Sequence, residues 1–312
     1  MPRSVSAEPD ILKQPLSDPL PTMTRRRIGI HTSTAGGVEN SAERAWRTGC
    51  NTYQIFSSSP RQWKPSAIGK AQCDALIALR IKYNLKPLVI HTNYLVNLAG
   101  SNEEFRAKSI AAFRGEVERG LALQAEYLVL HPGSFRDLTR AGGLARTALG
   151  IQEATGGLDL AAGKLTILIE NTAGAEYSLG GSFDQVGALL EVLRPHVPVA
   201  ACIDTCHTHV SGYDIVSEEG FESTMKELDS LVGLKNVPVW HCNDAKAARG
   251  SRLDRHQHIG KGTIGLEPFR RLLNHPRLAH AAFIAETPVD EPGDERRNVD
   301  ALKNLVDPGE PS

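Results

Sequence analysis

The chain has 312 residues, 41% of them apolar, with a formal net charge of −1 and five cysteines. That length and apolar share suffice for one large core or two ordinary ones; an odd cysteine count with no CxxC pair argues against a disulfide framework and for a reducing compartment. No run of about 18 apolar residues exists, so a soluble, cytoplasmic protein with no membrane partner is expected, and the near-neutral charge offers no net positive potential for nucleic acid.

Residues 1–24 hold several prolines and few large apolar side chains, and read as a disordered tail preceding one domain over 25–308. From Arg27 onward short apolar runs alternate with longer amphipathic stretches, the signature of βα units around a parallel sheet. Strands are expected at 27–32, 52–57, 87–93, 127–132, 166–171, 199–205, 238–244 and 281–287. Their continuous apolar character suits strands covered on both faces. Helices are expected at 38–48, 69–83, 103–124, 140–155, 182–195, 217–232, 266–274 and 295–305. No linker breaks the alternation, which predicts an α/β fold: a single-domain (β/α)8 TIM barrel.

Six of the apolar runs end in a potential metal ligand: His91, His131, Glu170, Asp204, His241 and Glu286. In a parallel barrel these C-terminal strand ends converge on one face, where such folds place their chemistry. A lone His or Glu at a strand end is usually a hydrogen-bonded loop residue, but six converging ones would repel one another and suffer desolvation unless cations sat among them. Imidazole and carboxylate suit zinc, with manganese or iron as substitutes. Divalent ions among the carboxylates would also make the mouth cationic despite the neutral average.

Two further clusters follow in the chain. DTCH places His207 three residues after Asp204, a weak signal alone. In 243–265, Asp254 and His256 flank Arg255, so in extended backbone both point one way. The same stretch carries Lys246, Arg249, Arg252, Arg255 and Lys261, and its glycines and place after a ligand-bearing strand favour a phosphate-facing loop over a merely solvated one.

At these residues the chain resembles the endonuclease IV family of apurinic/apyrimidinic (AP) endonucleases. The resemblance rests on IGIHTSTAGG (28–37), RQW (61–63), HTNYLVNL (91–98), LHPGS (130–134), IENTAG (169–174), CIDTCH (202–207), GYD (212–214), HCNDAK (241–246), GSRLDRH (250–256) and IGKGTIG (259–265). It implies three Zn2+ ions: one on His91, His131 and Glu170, one on Glu170, Asp204, His241 and Glu286, and one on His207, Asp254 and His256. It implies that Arg61 inserts into the base stack and that Tyr94 and Leu95 fill the gap left by a flipped nucleotide; the alternative for the last two is core packing. Lys246 and Arg255 are expected to meet the DNA backbone.

The implied activity is hydrolysis of the phosphodiester 5′ to an abasic site in double-stranded DNA, leaving a 3′-hydroxyl, with cleaning of blocked 3′ ends, by a monomeric repair enzyme. The implied catalytic carboxylates are Glu170, Glu286 and Asp204, gathered around a bridging hydroxide that attacks the phosphate. A sugar isomerase or epimerase on a related barrel would explain Glu170, Asp204, His241 and Glu286, but not His91 with His131, nor the group of His207, Asp254 and His256. A lesion-binding protein without catalysis would be expected to have lost ligands, and none is missing. His31 is expected behind the site or facing DNA, His196, His275 and His280 at the surface, and Cys202, Cys206 and Cys242 as small buried side chains.

Overall fold

The computed structural model describes residues 11–16, 24–65 and 67–308. Its strands in chain order are β1 (Arg27–Ile30), β2 (Tyr53–Phe56), β3 (Leu88–His91), β4 (Tyr127–Leu130), β5 (Thr166–Glu170), β6 (Val199–Asp204), β7 (Val239–His241), β8 (Asp244–Ala245), β9 (His256–Gln257) and β10 (Ala282–Ala285). Between them run α1 (Asn40–Thr48), α2 (Lys70–Tyr83), α3 (Glu103–Ala122), α4 (Arg140–Thr155), α5 (Phe183–Leu193), α6 (Thr205–Ser211), α7 (Glu218–Leu231), α8 (Leu266–Asn274) and α9 (Asp294–Lys303).

Eight strands form one sheet in the order β1-β10-β7-β6-β5-β4-β3-β2, with every pairing parallel. Closure comes just past β1, where His31 bridges Gln54 in parallel and the Thr32 amide donates to the Gln54 carbonyl at 2.8 Å. The chain is therefore a TIM barrel. Gly29 makes the seam possible, because a Cβ there would lie 1.9 Å from the Thr52 carbonyl oxygen.

A large apolar core fills the space between sheet and helices, and a second, separate cluster of Val89, Val129, Leu168, Cys202, Val239 and Ile284 fills the barrel's inside. Register sets Gly29 beside Ile284 and Gln54 beside Val89, so these two face inward as well. Side chains two residues apart on a strand share a face. One step nearer the C-terminal mouth the inward positions are therefore His31, Phe56, His91, His131, Glu170, Asp204, His241 and Glu286. The apolar plug beneath them keeps water out from below.

All eight expected strands form, each ending one to three residues early because its last residues turn into the mouth. A helix and a pair of short strands were not expected. α6 starts directly at the end of β6, where the Asp204 carboxylate caps it by accepting from the His207 amide at 2.8 Å. The β8–β9 pair is antiparallel and closes the stem of the cationic loop. The expected disordered tail lies partly outside the described residues, at 1–10 and 17–23. Within the described residues, Ile11–Lys13 forms a 3-10 turn, and Arg47 donates to the carbonyls of Ile11 and Gln14 at 3.0 and 2.8 Å. Among the described residues no helix is long and apolar enough to cross a membrane, and all five cysteines are free and buried.

Candidate metal centre

The nine side chains singled out from the sequence meet at the mouth in three groups: His91, His131 and Glu170; Glu170, Asp204, His241 and Glu286; and His207, Asp254 and His256. Within each group the candidate donor atoms all lie within 4.8 Å of one another. Glu170 joins the first two, with Oε2 at 3.2 Å from His91 Nε2 and 2.9 Å from His131 Nε2, and Oε1 at 2.8 Å from His241 Nδ1. Asp254 Oδ2 and Oδ1 lie 3.3 Å from His207 Nε2 and His256 Nε2 respectively.

The backbone fixes how the imidazoles face. His91 Nδ1 donates to the Thr92 carbonyl at 2.7 Å, His207 Nδ1 to that of Asn171 at 2.9 Å, and His256 Nδ1 to that of Glu286 at 3.1 Å, which turns each Nε2 toward the carboxylates. His241 is reversed: its Nε2 donates to Gln54 Oε1 at 2.8 Å, and Nδ1 faces Glu170 and Glu286.

The donor set fits divalent cations. His256 Nε2 is buried and makes no well-formed hydrogen bond, facing instead the carboxylates of Asp254 at 3.3 Å and Asp204 at 3.7 Å, as a pinned ring offered to a metal would. The charges of the metal-free site carry the same message. Burial alone would raise the Glu170 carboxyl, but His241 and His131 outweigh it and hold it well below the usual carboxylate range. Burial works likewise against Glu286, which the neighbouring histidines bring down to about 2. Conversely, burial would lower His207 and His256, but Asp204, Asp254 and other carboxylates push them up to about 10 and about 9. Protons on imidazoles here neutralise what cations would.

A pH prediction follows. A histidine with a folded value above its ordinary 6.5 contributes stability that is complete below 6.5 and disappears as pH rises through the folded value. The metal-free protein should therefore melt at progressively lower temperature from pH 6.5 to pH 9–10, and the gap to the metal-loaded protein should widen over that window. Thermal melts of both forms at the two ends check it; a metal-free Tm that rises with pH would contradict the charge balance.

Three supporting amides escaped the sequence reading. Gln54, fully buried on β2, donates from Nε2 to Glu286 Oε1 at 2.5 Å and to His31 Nδ1 at 3.0 Å while accepting from His241. Burial lowers His31 to about 4, so its neutral ring can accept, and it stands behind the site as expected. Asn243 donates to Asp204 Oδ2 at 2.6 Å and accepts from the Glu286 amide at 2.7 Å. Asn171 accepts from the Asp204 amide at 2.7 Å. The available signal was a glutamine inside the apolar strand YQIF. Gln54→Leu, which frees both His241 and Glu286, should lower metal retention or kcat by about 10–100-fold. Metal content after dialysis and steady-state nicking read this out; wild-type values in both would remove Gln54 from the site.

On the rim, Arg61 is exposed, Tyr94 is 65% exposed and Leu95 half-buried, so Tyr94 is not a core residue. Lys246 and Arg255 are both exposed and adjoin across the β8–β9 stem, where the Lys246 amide donates to the Arg255 carbonyl at 2.9 Å. Buried Asp244 gathers the loop's ends by accepting from the amides of Ala245, Gly262, Ile264 and Gly265 at 2.8–3.3 Å. His196 and His280 are exposed, whereas His275, expected at the surface, is half-buried and accepts from the Arg277 amide. Cys202 lies among Glu170 and His241, and Cys206 among Asp204 and His256. Burial pushes the Cys202 thiol up to about 12 and raises Cys206 and Cys242 too, so all three stay protonated in the metal-free protein.

Residues 42–305 match the family described as "Xylose isomerase-like TIM barrel". The chain is 50% identical over 282 residues to "Probable endonuclease 4" of Solibacter usitatus (strain Ellin6076), covering 90% of this chain and 97% of that one. It is 41% identical over 285 residues to the protein of the same name in Chloroflexus aurantiacus, covering 90% and 98%. The crystal structure of endonuclease IV from Thermus thermophilus superposes with a TM-score of 0.78 at 36% identity, over 89% of this chain and 98% of that one. A D-tagatose 3-epimerase-like protein superposes with a TM-score of 0.66 at 18% identity, over 89% and 96%, which shows a common fold alone.

Proposed function

The chain belongs to the endonuclease IV family, whose members are nucleases acting on DNA, and from that premise we propose that it hydrolyses the phosphodiester 5′ to an abasic site in double-stranded DNA, leaving a 3′-hydroxyl. The observation that carries the reading is the sharing of Glu170 between two groups of candidate ligands, with a third group of His207, Asp254 and His256 beside them. That third group has no use in the sugar-isomerase alternative. The proposal includes three zinc ions, with manganese or iron as substitutes, because each group offers nitrogen and oxygen donors of the kind zinc takes. It extends to removal of blocking groups at 3′ ends and to a cytoplasmic, monomeric repair enzyme with its single domain over 25–308.

Divalent ions, when bound, supply a nucleophile at neutral pH and neutralise charge on the scissile phosphate and the leaving oxygen. The chain's own groups do the rest. Glu170 sets the spacing of two groups, Asp204 and Glu286 hold fixed negative charge beside the attacking water, and the apolar layer beneath excludes bulk solvent. Arg61, Tyr94 and Leu95 enter the base stack and hold the abasic nucleotide out of it, while Lys246 and Arg255 take flanking phosphates.

The test joins metal analysis to nicking of a duplex with one abasic analogue. About three metal ions per chain and a single nick 5′ to the lesion with a 3′-hydroxyl are expected. Normal binding of that duplex by fully metal-loaded protein, without a nick, would sink the assignment.

A further inference from the structure

The segment that presents Arg61 is held at both its tip and its root. At the tip the Gln62 amide donates to the Ser59 carbonyl at 3.3 Å, closing a turn with Pro60 and Arg61 as its central residues. The Pro60 carbonyl accepts from the Tyr94 amide at 3.2 Å, so the loop of Arg61 and the loop of Tyr94 and Leu95 are joined through their backbones.

The root rests on a carboxylate outside the nine candidate ligands. Glu116 of α3 is 1% exposed. Its Oε2 accepts a short hydrogen bond from Ser57 Oγ, its Oε1 accepts from Ser58 Oγ at 3.2 Å, and Arg119 lies 3.0 Å from Oε2. Arg119 Nε also donates to Ser57 Oγ at 2.7 Å. Burying an ionised carboxylate is costly unless it is paired and hydrogen-bonded. Here the compensating bonds go to a neighbour on the same helix and to two consecutive serines where β2 leaves the barrel for the Arg61 turn.

We infer that Glu116, supported by Arg119, is a positioning residue for lesion recognition: it fixes the root of the Arg61 loop and, through Pro60 and Tyr94, the wedge beside it. This rests on the reading of Arg61 and Tyr94 as DNA contacts given above. A loop already in its bound conformation loses less freedom when DNA docks, so the anchor acts on substrate affinity. It touches none of the nine candidate ligands, so it leaves the metal centre alone.

The test uses the full metal-loaded chain with Glu116→Gln, which sets an amide against Arg119, and Ser57→Ala as a milder cut of the same link should the first variant fold poorly. Each should raise KM for the abasic duplex by about tenfold, with kcat and metal content unchanged. An unchanged KM, or a loss of metal or kcat in step with it, overturns the inference. Arg61→Ala separates the two levels. If it raises KM while Glu116→Gln and Ser57→Ala do not, the anchor is wrong and the DNA reading stands; if it leaves KM unchanged, the reading beneath both is wrong.

Discussion

Glu170→Gln should slow nicking by about 10³-fold or more, on the order of 4 kcal/mol, while binding to abasic duplex survives. The substitution is nearly isosteric, so the fold has no steric reason to change. What changes is the donor set. Glu170 is fully buried and divides its oxygens between two groups, one facing His91 and His131, the other His241. An amide offers one oxygen and turns a donor NH2 toward the remaining ring, so one group loses the Glu170 oxygen from its candidate donors. The rim residues proposed to grip DNA lie on other loops and keep their positions. Single-turnover nicking, gel-shift affinity and metal content measured on one preparation decide it. Near-normal turnover would falsify the role given to Glu170.

A strong chelator should abolish nicking entirely, and added Zn2+ should restore it. Stability should follow activity, because each cation bound at a thousandfold excess over its dissociation constant contributes about 4 kcal/mol. For a domain of this size, loss of several such ions lowers Tm by about 10 °C or more. The metal-free protein should still fold, since protonated His207 and His256 offset the carboxylates around them; the loss of Tm should accordingly be smaller near pH 6 than near pH 9. A chelated protein that nicks as fast as the loaded one would end the metal-dependent reading.

The strands and six of the nine candidate ligands were legible in the sequence because one physical constraint writes both, whereas His207, Asp254 and His256 lie off the barrel's strand ends and were gathered into a group by the family resemblance. A strand buried on two faces must be apolar throughout, so a His, Glu or Asp at its end stands out against Val, Leu and Ile. The supporting shell was not legible in this way. Gln54, Asn171 and Asn243 act through partners on other strands, and nothing local says which amide will face which carboxylate. α6 was missed because seven residues hold too little of a helical period to register, and because its cap, Asp204, had already been read as a ligand. The cap is what the structure adds: the Asp204 carboxylate accepts from the His207 amide and so ties these two candidate ligands together at a spacing of three residues. Glu116 was hidden for a similar reason: on an amphipathic helix rich in charge, a buried glutamate looks like an exposed one until the loop above it is placed.

Each inward candidate ligand stands an even step along its strand from the apolar plug below it, as His91 does above Val89 and Glu170 above Leu168. Parity, more than the identity of the intervening residue, is what evolution or an engineer must preserve. Ile90 and Ile169 look outward to the helices, and a change of size there is absorbed as repacking. A single residue inserted between plug and ligand would instead swing the ligand into the helical layer and bring an aliphatic side chain into the mouth. Length variation among homologous barrels of this kind should therefore collect in the loops, and where it enters a strand it should come in twos.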